Sequence, residues 1–205
     1  GFRLMKKNII IIFDPAHGAD VPGKCSPDKK HREYKWSRER ISHLIPVLTN
    51  LGYEVYKTTS SENEPGLSKR KNFATQVRHG EKKLLLSLHN NAAGADGNWH
   101  TATGVEIYTT PGVTKSDICA DIILQRFKKD FPELKMRYNK DAYLERDKEA
   151  KFTVLMGADY MGCLVEWLFQ DNKNDVELLC DPTFNGKFES SIVEAIEEIN
   201  DYFGK

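Results

Sequence analysis

Asn8-Ile9-Ile10-Ile11-Ile12-Phe13, followed at once by Asp14-Pro15-Ala16-His17-Gly18, is the stretch on which the fold turns. An unbroken β-branched run with no polar alternation fits a strand buried on both faces. Such strands belong to parallel sheets covered on each side by helices. Lys6 and Lys7 ahead of the run imitate the opening of a secretory signal. The apolar stretch is too short for one, and no small-residue cleavage site follows. Residues 1–7 therefore read as an N-terminal extension, with Met5 a candidate natural start and a trimmed export signal as the alternative.

Outward from that strand, apolar and helical patterns alternate. Trp36, Ile41, Leu44, Ile45, Leu48 and Leu51 recur at helical spacing, predicting a helix over 33–51 that Gly52 ends. Residues 53–58 read as a strand. Ser68 is expected to cap a helix through Arg78, closed by His79-Gly80. Residues 84–89 form an apolar strand, 92–103 a glycine-rich loop, and 104–109 another strand. Ser116 is expected to cap a helix ending at Phe131, before Pro132. Residues 133–150 are polar and unassigned, 153–155 and 163–166 read as short strands, and 188–202 as an amphipathic helix. No repeat or linker interrupts the chain, so residues 1–205 read as one α/β domain: three layers, with a mixed, mostly parallel sheet of about six strands and helices on both faces.

Composition narrows the function. At 205 residues the chain can bury a full core without disulfides. Acidic and basic residues balance at 30 each, which argues against a nucleic-acid partner. No run is long enough to cross a membrane as a helix. Cys25, Cys119, Cys163 and Cys180 form no C-x-x-C pair and read as reduced, mostly buried thiols rather than zinc ligands.

Ligands of such sheets gather at the carboxyl ends of strands. His17 follows the first strand, His89 ends the third, Glu166 ends 163–166, and Glu33 opens the first long helix. Two histidines and one carboxylate make a common catalytic zinc set that leaves a position for water, with the remaining glutamate as general base. Each residue has an ordinary reading too: a turn histidine for His17 or His89, a helix-dipole partner for Glu33. Glu166, flanked by Leu164, Val165, Trp167, Leu168 and Phe169, is the hardest to dismiss, because a buried carboxylate is costly unless partnered or used. His31, beside Glu33, is the one competing ligand; His43, His79 and His100 read as surface or capping residues. There is no H-E-x-x-H.

Taken in order, Asp14-Pro15-Ala16-His17-Gly18, Glu33, Ser87-Leu88-His89-Asn90-Asn91-Ala92, Gly104-Val105-Glu106-Ile107-Tyr108 and Val165-Glu166-Trp167-Leu168-Phe169 resemble the zinc-dependent N-acetylmuramoyl-L-alanine amidase family of autolysins and phage endolysins, from about Asn8 to Tyr202. The resemblance implies one zinc ion per chain on His17, Glu33 and His89, with Glu166 as the catalytic base. It implies a substrate of peptidoglycan, cut at the amide between N-acetylmuramic acid and L-alanine, and an extracytoplasmic site of action reached by a trimmed signal or by lysis. A monomer is expected, and the loop with Trp99 is a candidate contact to glycan or stem peptide. The chain departs from the family pattern at Ala19, in the lysine-rich 18–32 loop with Cys25, at Arg38 and Glu39, and at Arg146-Asp147. The rival readings are a zinc hydrolase of another amide, such as an N-deacetylase, and a non-catalytic wall-binding module.

Overall fold

A computed structural model describes residues 6–110, 114–137, 153–156 and 159–205. The N-terminal residues 1–5 and the Arg146-Asp147 departure lie outside these. Five strands form one sheet: β1 Ile10–Pro15, β2 Val55–Lys57, β3 Lys83–Asn91, β4 Val105–Tyr108 and β5 Met161–Phe169. Their order is β2-β1-β3-β5-β4, parallel except for β4, which runs antiparallel to β5. The helices are α1 Glu33–Asn50, α2 Leu67–Gln76, α3 Lys115–Asp130, α4 Lys173–Leu179 and α5 Pro182–Tyr202.

The expected architecture is present with five strands among the described residues rather than about six. Residues 153–155 form a 3₁₀ turn and not a strand, with Val154 and Leu155 packed under the sheet instead of paired into it. Two caps differ from expectation. Gly66, at φ 96, precedes α2, so Ser68 lies inside the helix. Thr114 precedes α3; Ser116 is buried inside it, and its Oγ accepts from the Gly162 N–H at 3.0 Å. The last helix starts at Pro182, six residues before the amphipathic pattern becomes clear, and α4 was not foreseen.

Strand parity assigns the two faces. Ile11, Phe13, Leu84, Leu86, Leu88, Cys163, Val165 and Trp167 point into the larger core, against α1, α3 and α5. There Trp167, Phe127, Phe131, Phe184 and Phe188 pack as an aromatic cluster with centroids 4.6–6.5 Å apart. Ile12, Leu85 and Leu164 point the other way, into a smaller core under α2 and the 3₁₀ turn. Asp14, Ser87, His89 and Glu166 share the parity of that thinner side, nearer the carboxyl ends of their strands. All four cysteines are free; Cys119 and Cys163 are buried, but Cys180 is exposed.

Candidate active site

His17 sits in the turn after β1 with φ 50, a left-handed conformation uncommon for a residue with a Cβ. Its carbonyl is held by two guanidiniums, Nη2 of Arg38 and Nη2 of Arg70, each at 2.8 Å. Arg38 also donates to the Ala16 carbonyl at 2.7 Å, so this departure from the family pattern is built into the turn. Gly18 is required by a close approach: a Cβ there would lie 2.1 Å from the Glu64 backbone nitrogen. Ala19, by contrast, fits, its N–H donating to the Glu62 carbonyl at 2.8 Å.

Glu33 opens α1 and is buried. Its Oε2 lies 2.8 Å from His17 Nε2 and 2.9 Å from His89 Nδ1, and its Oε1 accepts from Gln170 Nε2 at 2.9 Å. One ligand atom from each of His17, Glu33 and His89 falls within 4.8 Å of the others. Burial would raise the Glu33 carboxyl pKa, but the two imidazoles outweigh it and hold the group below the usual carboxylate range. Nε2 of His17 is buried and makes no aligned hydrogen bond despite its short distance to Glu33. Two imidazole nitrogens converging on one carboxylate oxygen, one of them orphaned, fit a shared cation better than a set of hydrogen bonds.

Glu166 pairs with His89 across the parallel β3–β5 ladder and with Glu106 across the antiparallel β5–β4 ladder, which places its side chain on the His89 face. It is 1% exposed. Glu106 shares that face, but Arg137 at 2.8 Å and the Tyr108 hydroxyl occupy its two oxygens. Just beyond, the β3–β5 register shifts and Leu168, fully buried, takes φ 59.

His31 does not join the cluster. Its Nε2 lies 2.7 Å from Asn90 Oδ1, and burial lowers its pKa. Near the surface, His43 pairs with Glu189, His79 with Asp159 and His100 with Asp96. Asp14, Ser87, Arg70 and Gln170, which contact the ligands or their loop, were missed from the sequence. The signal for Asp14 and Ser87 was available: Asp14 directly follows the apolar run 9–13, and Ser87 interrupts the apolar run 84–88. A cavity of about 330 Å³ opens onto His17 and His89, walled by Val21, Leu67 and Val154 and rimmed by Lys24, Glu64 and Arg70.

An α/β sheet that gathers two histidines and a glutamate able to hold a metal ion at the carboxyl ends of its strands, beside a small apolar-walled cavity, has the form of a hydrolase site. Within that class the assignment is specific. The N-acetylmuramoyl-L-alanine amidase family model matches residues 11–198, and the chain belongs to this family. Its activity is that of a peptidoglycan amidase. Among solved structures, the chain is similar to an N-acetylmuramoyl-L-alanine amidase of Clostridium difficile 630 (20% identity, 95% of this chain and 98% of that one, TM-score 0.76). It is also similar to the catalytic domain of the amidase CwlV from Paenibacillus polymyxa (20%, 96% and 99%, 0.76) and to AmiC2 of Nostoc punctiforme (16%, 98% and 99%, 0.74). At these identities the likeness shows a shared fold. No curated protein matches the sequence significantly.

Proposed function

We propose that the chain is a single catalytic domain that hydrolyses the lactyl–L-alanine amide of peptidoglycan with one zinc ion held by His17, Glu33 and His89. The convergence of His17 Nε2 and His89 Nδ1 on one oxygen of Glu33 carries this reading. His17, Glu33 and His89 would hold the ion, which would supply Lewis acidity to the amide carbonyl and the attacking water. Glu166 then takes the proton of the attacking water and returns it to the departing L-alanine nitrogen. Gln170 keeps the Glu33 carboxylate turned toward the histidines, and Arg38 and Arg70 hold the His17 turn. The apolar walls of the cavity exclude bulk water from the reacting amide. The 92–103 loop is tied down by Asp171, which accepts from the Ala93 and Gly94 N–H groups, and by Lys173 over the Trp99 ring; in this reading it contacts glycan or stem peptide. The substrate implies action outside the cytoplasmic membrane; a monomer is our reading.

Purified muropeptides provide the test, with metal analysis alongside. The native protein is expected to release peptides with a free L-alanine amino terminus and to carry one zinc per chain. Glu166→Gln should lower turnover by roughly two to four orders of magnitude while zinc content stays at one. Retained activity would remove Glu166 from the mechanism. Loss of zinc would make it a ligand, and release of acetate instead of peptide would reassign the substrate bond.

A further inference from the structure

Ser87 stands between two groups with opposite needs. Its Oγ lies 2.6 Å from Asp14 Oδ2 and 2.8 Å from His89 Nε2. The other Asp14 oxygen accepts from Thr58 Oγ1 at 2.6 Å and from Arg70 Nη1 at 2.9 Å. Asp14, Ser87, Arg70 and His89 are all buried. A carboxylate ion-paired to a guanidinium only accepts hydrogen bonds, so the single Ser87 O–H is directed at Asp14. Ser87 Oγ then has only lone pairs to offer His89, and His89 Nε2 must carry the hydrogen. Nδ1 lies 2.9 Å from Glu33 Oε2: without a cation it too must carry hydrogen to meet that carboxylate, and with a cation shared between them it is the nitrogen whose lone pair faces the metal. Arg70 joins this chain to the other histidine, since it also donates to the Pro15 and His17 carbonyls.

We propose that Asp14 and Ser87 are positioning residues that fix the His89 tautomer, with Arg70 anchoring them, so that Nδ1 of His89 is presented to the metal as a ready ligand. This rests on the reading of His17, Glu33 and His89 as zinc ligands. A hydrogen bond to the far nitrogen of a metal-ligating histidine commonly sets both its tautomer and its orientation. Here a serine is interposed between carboxylate and imidazole. The direction of its O–H decides which nitrogen is left free.

The measurement is ¹⁵N NMR of the His89 ring in zinc-loaded protein at about pH 8.5, above the ordinary histidine range, with zinc affinity read separately by competition with a chromophoric chelator. Wild type should show hydrogen on Nε2. Asp14→Asn should reverse the relay: the amide nitrogen donates to Ser87, Ser87 donates to His89, and the hydrogen moves to Nδ1. Ser87→Ala should give mixed tautomers and weaken zinc binding about 10- to 100-fold. Ser87→Thr should restore both, while melting temperatures show that the variants remain folded. A wild-type His89 carrying its hydrogen on Nδ1 overturns the proposal whether or not any variant folds. So does a folded Ser87→Ala with unchanged tautomer and affinity. A wild type that binds no zinc sinks the metal assignment and the proposal resting on it, whereas one that binds zinc with the His89 hydrogen on Nδ1 sinks the relay alone.

Discussion

Two residues near the site hold backbone conformations that their side chains resist. His17 at φ 50 and Leu168 at φ 59 each cost about 1–3 kcal/mol, and such outliers cluster where function dictates geometry. The first is held by Arg38 and Arg70 on its carbonyl. The second is held by full burial in the larger core. Arg70 is in turn fixed by Glu64, whose carboxylate meets it at 2.9 and 3.0 Å and also accepts from the Gly66 N–H. Burial raises the Glu64 carboxyl pKa, but Arg70 and Gly66 outweigh it, and the net shift is downward. A depressed carboxylate contributes stability that is present above its unfolded value, about 4.3, and is lost as pH falls through the folded value. Melting temperature should therefore drop between about pH 5 and pH 3, and Glu64→Gln should show a shallower drop over that window. The effect is modest because Glu64 is partly solvated. Equal slopes for the two proteins would show that Glu64 has no part in holding the turn.

The long elements and the short strands β2 and β4 were legible in the sequence; residues 153–155 and the short α4 were not. The β1 run and the α1 spacing appear where expected, because many apolar contacts specify each of them. Residues 153–155 misled because Thr153-Val154-Leu155 is too short to show a period. Under the sheet they pack equally well as a 3₁₀ turn. The α4 helix escaped notice because its seven residues are set by caps more than by an apolar stripe. Asn172 accepts from the Asp175 N–H at 3.0 Å, and Asp175 accepts from the Phe169 N–H at 2.9 Å and the Thr103 hydroxyl at 2.6 Å. The Asn172 amide also donates to the Thr101 and Ala102 carbonyls at 3.3 and 3.1 Å. One residue thus starts a helix and ties the end of the 92–103 loop. Asn172→Ala should cost about 1–2 kcal/mol, the upper part of the range for losing an N-cap. Amide hydrogen exchange should rise in residues 92–103. A stability loss without faster exchange there would mean that Asp171, Lys173 and Asp175 hold the loop without Asn172.

Two cores, one on each face of the sheet, stabilise the domain, and the candidate site lies at the strand ends beside the smaller one. The four proposed functional residues stand out in the sequence because each is polar and lies at or near the end of a strongly patterned run. Their support does not, because Arg70 and Gln170 reach the site from segments whose relation to it exists only in three dimensions. The same arrangement bears on metal removal. Neither core depends on the His17–Glu33–His89 cluster for its burial, so metal removal should leave the fold intact. Bound zinc still stabilises by mass action, about 2.7 kcal/mol when free zinc is about a hundredfold above Kd. In a domain of this size that corresponds to roughly 5–10 °C in Tm. Dialysis against a strong chelator should therefore abolish peptide release from peptidoglycan, lower Tm by that order and leave the far-ultraviolet circular dichroism spectrum unchanged. Adding back one equivalent of zinc should restore both activity and Tm. Collapse of the spectrum on chelation would make the ion a structural one. Undiminished peptide release from metal-free protein would mean that the His17–Glu33–His89 cluster serves something other than the hydrolysis.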